Sequence, residues 1–332
     1  MKTTTLKAAA AFGLGALLAG SAAAQESVSK PVGYETLDLV IGFNYVGLRL
    51  HETPAASGAV VDVDGATVTV ADGIADGLTA GQTYIFEVTS GDAIGATVMV
   101  AEFDADADTL TLSDDLSDNL EAESEFIIRP SATIASVFGA NNEAGLDSGF
   151  FAPGGDQIWS ADAGGFTKYY YDAGNSSWAN FDTGATVDGA TIDLPYTDGL
   201  IVVDSGEPES LVISGSVKIG PTTFALEGTG SFNYLSSIYP VGATLASFFG
   251  AANEAGLDGG FFAPGGDQVW TPTEAGFDKY FYDGGAATWA NFETGAAVED
   301  PSLVDLPSGF IIVNDANDNN AAATAPSFYA DL

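Results

Sequence analysis

All four tryptophans of the chain, Trp159, Trp178, Trp270 and Trp289, fall at matched positions of a stretch that occurs twice, in company with Tyr169, Tyr171, Tyr280 and Tyr282. Flat, electron-rich rings are suited to stacking on the C–H faces of sugars. Two copies of such a platform would gain avidity, because binding at one raises the effective concentration at the other. The same rings are also what fills the core of a small β unit. Side chains alternate across a strand, so Phe166, Lys168 and Tyr170 share one face and Thr167, Tyr169 and Tyr171 the other. Position 170 is Phe281 in the second copy. A hydroxyl that can be dispensed with points to burial, and therefore to packing as the main role of the rings.

Lys168 and Lys279 occupy equivalent places in a chain with only 8 Lys and Arg against 46 Asp and Glu. A cation retained among so many acids implies a fixed partner. The acids kept in both copies are Asp156 with Asp267, Asp172 with Asp283, and Glu143 with Glu254. Spacing alone assigns no pair, and contact with an anion or substrate is the alternative. Alternating carboxylates suggest calcium, a hard cation that prefers oxygen ligands. They occur at Asp62–Asp64, at Asp104, Asp106 and Asp108, and across Asp315–Asn319. None completes an EF-hand loop, since the middle stretch lacks both its glycine and its distant glutamate.

Catalytic signatures are sparse. His51 is the one histidine, and no Gly-x-Ser-x-Gly elbow accompanies it. A single His with no Cys disfavours zinc. No phosphate-binding loop or dinucleotide fingerprint occurs. A glycosidase needs only two carboxylates at a set separation, yet nothing among 46 acids selects a pair.

Positioning these residues falls to strands. Residues 131–184 align without a gap onto 242–295, with 36 of 54 positions identical. Within each copy the pattern predicts a short helix over 135–146 ended by Gly145, then a meander of three strands near 157–159, 166–171 and 177–181. Pro153-Gly154-Gly155-Asp156 reads as a turn. Before the copies, Val-, Ile-, Thr- and aromatic-rich segments at 43–50, 59–63, 66–71, 83–89, 95–103, 108–112 and 125–129 predict strands of a sandwich or barrel. Further strands follow at 211–219, 222–226 and 232–239. The expected fold class is all-β: a sandwich or barrel-like domain over 25–130, repeat unit 1 over 131–241, a shorter repeat unit 2 over 242–313, and a loose tail over 314–332.

The first 24 residues carry Lys2 and Lys7, an apolar run over 8–20 and Ala22-Ala23-Ala24, the pattern of a secretory leader. No later stretch reaches the roughly 20 apolar residues of a spanning helix. Formal net charge is −38, and it becomes −40 once Lys2 and Lys7 depart, because the leader holds no acid. Phosphate backbones and anionic membranes are therefore excluded as partners. Neutral glycans, basic partners, envelope or matrix components and divalent cations remain. With no cysteine, stability in an oxidising compartment must come from the core, bound ions or association.

Pro31-Val32-Gly33-Tyr34, Gly42–Leu50, Tyr84–Gly91, Phe126–Pro130 and the block from Asp156-Gln157-Ile158-Trp159 to Trp178 resemble a family of secreted, β-rich bacterial proteins with no assigned activity. The resemblance implies export and a β fold. Some members end in a sorting segment, which is not found in the terminal Ser327–Leu332. The function expected first is that of a non-enzymatic structural or adhesive protein of the periplasm, envelope or matrix. A carbohydrate-binding protein using the paired Trp and Tyr comes second, and a carboxylate-dependent hydrolase last.

Overall fold

Runs of β-branched and aromatic residues broken by Gly and Asp build a nearly all-β molecule, with two short α-helices among the described residues. The computed structural model describes residues 32–149, 155–162, 165–206, 209–228, 230–260, 266–314 and 319–331. The expected leader over 1–24 lies outside them, as do Pro153-Gly154 of the expected turn and most of the acidic stretch 315–319. Pro31–Leu332 forms one compact unit.

The chain opens with β1 (Val32–Asp38) and β2 (Gly42–Gly47), and then enters a closed barrel. Its strands are β3 (Ala56–Asp64), β4 (Thr67–Val70), β5 (Tyr84–Val88), β6 (Thr97–Asp104), β7 (Thr109–Leu112) and β8 (Glu125–Pro130), in the order β3-β4-β7-β6-β5-β8. Alternating residues Val60, Val68, Val70, Phe86, Leu110, Phe126 and Ile128 fill it. Phe86 and Phe126 stack at 4.8 Å.

Next come β9 (Ala132–Thr133), α1 (Ile134–Phe138), β10 (Gln157–Asp162), β11 (Gly165–Asp172), β12 (Ser177–Asn180), β13 (Asp193–Leu194), β14 (Gly199–Asp204) and β15 (Ser210–Ser216). The rest of the chain gives β16 (Thr222–Leu226), β17 (Ser231–Ser236), α2 (Leu245–Phe249), β18 (Gln268–Thr273), β19 (Gly276–Asp283), β20 (Thr288–Asn291), β21 (Gly309–Asn314) and β22 (Asn319–Ala323). Two antiparallel five-stranded sheets result, β12-β11-β10-β14-β2 and β17-β21-β18-β19-β20. They correspond strand for strand, with β2 in one taking the place of β17 in the other. The flanking pairs β1 with β15 and β16 with β22 correspond as well.

This topology redraws the expected boundaries. The 25–130 segment is not one domain: β1 and β2 belong with the sheets, and the barrel sits as an insertion between β2 and β9. The span 314–332 is not wholly loose, because β22 pairs with β16 and Tyr329 is buried. The expected helix over 135–146 is shorter. Thr133 and Ser136 cap its start reciprocally, and it stops at Gly139, whose φ of 90° the helix cannot continue. Thr244, Ser247 and Gly250 repeat that arrangement in the second copy.

One core runs through both sheets. They meet edge on, where glycine permits close approach: a Cβ on Gly309 would lie 2.7 Å from the backbone of Tyr45 and Val46.

Candidate functional site

Register decides which rings face the core. Tyr171 is paired with Trp178 and Tyr282 with Trp289, and both pairs lie on the sheet face that covers the helices. Trp178 is 2% exposed and Trp289 0%. Their indole N–H groups donate to the carbonyls of Gly139 and Gly250, each at 2.9 Å, just beyond the two helices. Tyr169 is buried, and Tyr171, Tyr280 and Tyr282 are half-buried against the same core. Six of the eight candidate rings therefore pack inward. Tyr170 and Phe281 are both buried, in keeping with the dispensable hydroxyl.

Trp159 and Trp270 face the other way and remain partly exposed. Each indole donates to a neighbouring glutamine, Trp159 to Gln157 at 2.9 Å and Trp270 to Gln268 at 3.0 Å. Cross-strand pairing sets Lys168 beside Trp159 and Lys279 beside Trp270. Both ammonium groups sit 4.5 Å from the indole centroid. The partner required by each lysine is thus mainly an aromatic face. Lys279 adds a loose ion pair with exposed Glu293 at 3.7 Å, and Lys168 has no carboxylate within ion-pair distance among the described residues.

From each tryptophan a line of rings runs to the seam between the sheets. Trp159 touches Phe166 at 5.6 Å, Phe166 meets Tyr234 at 4.8 Å, and Tyr234 lies parallel to Tyr45 at 6.5 Å. Tyr45 meets Phe277 at 5.2 Å, and Phe277 touches Trp270 at 5.6 Å. Phe43 and Phe232, 57% and 52% exposed, stand edge-on against the two tryptophans. The rings join into one band crossing both sheets, with a lysine over the tryptophan at each end. Partial burial raises the hydroxyl pKa of Tyr45 and of Tyr234. A groove of about 530 Å³ opens beside Phe43 and Tyr45, walled by Asp38, Glu274 and the ion-paired Glu35 and Arg49. A smaller one of about 200 Å³ opens beside Phe232 and Tyr234, walled by Asp162, Asp198 and Glu227.

Phe43, Tyr45, Phe232, Tyr234, Phe166 and Phe277 were not among the sequence candidates. The signal for four of them was the tripeptide Phe-Asn-Tyr, present at 43–45 and again at 232–234, outside the long match. Phe166 and Phe277 lay inside that match, on the lysine face.

His51 takes part in a different assembly. Glu87 on β5 and Arg129 on β8 form an ion pair at 2.8 Å, and Lys218 joins Glu87 from the segment after β15 at 3.0 Å. All three are almost wholly buried where the barrel meets the sheets. Arg129 also donates to the carbonyl of Glu52 and to Ser216. Burial alone would raise the Glu87 carboxyl, but Lys218 and Arg129 more than reverse this and hold it at about 2. Burial, aided by Arg129, drives the His51 imidazole down to about 3. His51 therefore stays neutral, its Nε2 3.2 Å from the carbonyl of Ile238 and its ring 4.4 Å from that of Tyr196. Sealed from solvent, the group ties barrel to sheets and offers a substrate no access.

The unfolded imidazole takes up a proton below about 6.5 while the folded one does not, so stability is full above that value and is lost as pH falls toward 3. Glu87 adds to the loss only below 4.5, its ordinary value. Moving from pH 7 to pH 5 should cost about 2 kcal/mol through His51. Urea unfolding of the wild type and of His51→Asn at the two pH values measures it as the difference between them, because Asp198, whose carboxyl burial raises to about 6, opposes it over the same range in both.

Of the carboxylates expected to hold calcium at Asp104, Asp106 and Asp108, two accept hydrogen bonds from backbone N–H groups. Asp104 accepts from the backbone N–H groups of Asp106 and Ala107, and Asp108 accepts from that of Gly73. Among the described residues the acids whose oxygens converge within 4.8 Å are Asp147, Asp156 and Glu209. None of these was selected for a metal in the sequence. No described helix is long and apolar enough to cross a membrane. Comparison with family models, with curated proteins and with solved structures finds no match to this chain.

Proposed function

We propose that this chain is an exported, non-enzymatic adhesive protein whose aromatic band holds a neutral polysaccharide. The observation that carries the reading is the continuity of the band: Trp159, Phe166, Tyr234, Tyr45, Phe277 and Trp270 are linked ring to ring across the seam, on partly exposed sheet faces. Contiguous apolar surface of this kind marks an interaction site. Its length suits a polymer better than a small molecule. The net negative charge of both groove walls disfavours anions and leaves neutral sugars, whose C–H faces stack on rings and whose hydroxyls donate hydrogen bonds to the carboxylates. Support for export comes from the leader pattern of residues 1–24.

Retention of the mature protein on insoluble neutral polysaccharides, in parallel with titration by their oligosaccharides, tests the idea. Tyr45→Ala with Tyr234→Ala should weaken binding roughly tenfold or more, at about 0.5–1.5 kcal/mol per ring. The far-ultraviolet spectrum should be unchanged, because both rings are only half-buried. Wild-type retention by that double variant, or release of soluble sugar by the wild type, would sink the proposal.

A further inference from the structure

Independently of the glycan reading, we propose that Asp147, Asp156, Asp204 and Glu209 form a calcium site in the first motif copy that the second copy has lost. The register pairs Gln157 with Val203, which sets Asp156 opposite Asp204 on one face of the sheet. Both are 2% exposed. Asp156 spends its oxygens on the loops around it: one accepts from the backbone N–H of Asp147 at 2.8 Å, the other from the N–H and hydroxyl of Ser205. Asp147 and Glu209 bring further carboxylate oxygens within 4.8 Å.

Two buried carboxylate oxygens here point to a missing positive charge. Asp204 Oδ2 and Glu209 Oε2 are both buried, and neither has a hydrogen-bond partner among the described residues. Asp156 and Asp204 are withdrawn from water without a counter-charge, which costs several kcal/mol for each ion. The described Lys and Arg residues cannot supply it, since Arg49 is committed to Glu35, Arg129 and Lys218 to Glu87, and Lys168 and Lys279 to the tryptophans. A divalent cation does supply it. An all-oxygen, carboxylate-rich set with no His or Cys selects calcium over zinc.

The second copy gives an internal comparison. Its sequence equivalents are Asp258, Asp267, Asn314 and Asn319, so two carboxylates are replaced by amides. Asp267 keeps the structural bond of Asp156, accepting from the N–H of Asp258 at 2.8 Å. The fold thus tolerates amides at the other two positions, which leaves one site per chain.

Calorimetric titration of calcium chloride into the mature, EDTA-stripped protein should show one ion per chain, with a dissociation constant at or below about 10⁻³ M. Millimolar calcium should raise Tm by several degrees. In Asp204→Asn with Glu209→Gln, affinity should fall at least tenfold and the calcium-induced rise in Tm should vanish. That variant in EDTA should melt no lower than the wild type in EDTA, which separates loss of a ligand from loss of the fold. No binding up to about 10 mM calcium would overturn the site, as would undiminished affinity in the variant.

Discussion

Glu87→Ala should lower the stability of this protein by about 3–5 kcal/mol, the cost of leaving a buried ion pair with one partner missing. Here the penalty is compounded, because a single carboxylate serves two cations, Arg129 and Lys218, which are 3% and 5% exposed. Neither can reach water without opening the contact between barrel and sheets. The loss should register as a fall in the urea midpoint. Replacing all three residues together by apolar ones of similar volume should cost much less, since the desolvation penalty of the charges disappears with them. A loss below about 1 kcal/mol for Glu87→Ala would show that the junction relaxes enough to hydrate the cations. The pair of experiments separates a group that fixes how two modules meet from one that contributes net stability.

Local patterns carried much of the fold. The seven strands predicted before residue 130 all exist, as do the meander strands, because alternation and turn residues act over a few positions. The Tyr170 to Phe281 exchange indicated burial correctly, since a polar atom absent from one copy has no essential partner in the other. Pairings between distant segments were not legible. β2 joins β14 across more than 150 residues, with the whole barrel between, and no local periodicity encodes that partner. Local pattern alone therefore places the segment with the barrel, and it hides Phe43 and Tyr45 as members of the band. The acid cluster was hidden for the same reason: Asp156 and Asp204 are neighbours only through the register of β10 on β14. Local spacing singles out Asp104–Asp108, where Asp104 turns its carboxylate onto the backbone of Asp106 and Ala107.

The two tryptophans of each copy should respond very unequally to truncation, although the sequence alone treats them alike. Trp178→Ala and Trp289→Ala should each cost about 3–5 kcal/mol, the usual range for emptying an aromatic site in a packed core. Both rings lie against core phenylalanines, Trp178 against Phe138 at 6.3 Å and Trp289 against Phe249 at 5.9 Å. Each also satisfies the carbonyl of a glycine at positive φ, Gly139 or Gly250, where the chain leaves its short helix. Truncation therefore empties a core site and leaves that carbonyl without its donor, so nearby loops should loosen as well. Trp289→Phe keeps most of the volume and should lose only about 1–2 kcal/mol, chiefly that hydrogen bond. Trp159→Ala and Trp270→Ala remove half-exposed rings and their lysine contacts, and should cost no more than about 1.5 kcal/mol. Thermal or urea unfolding of the four alanine variants measures the contrast. Equal losses at all four would mean that the outer band is as much a part of the core as the inner pair, and binding would then have to be sought elsewhere on the surface.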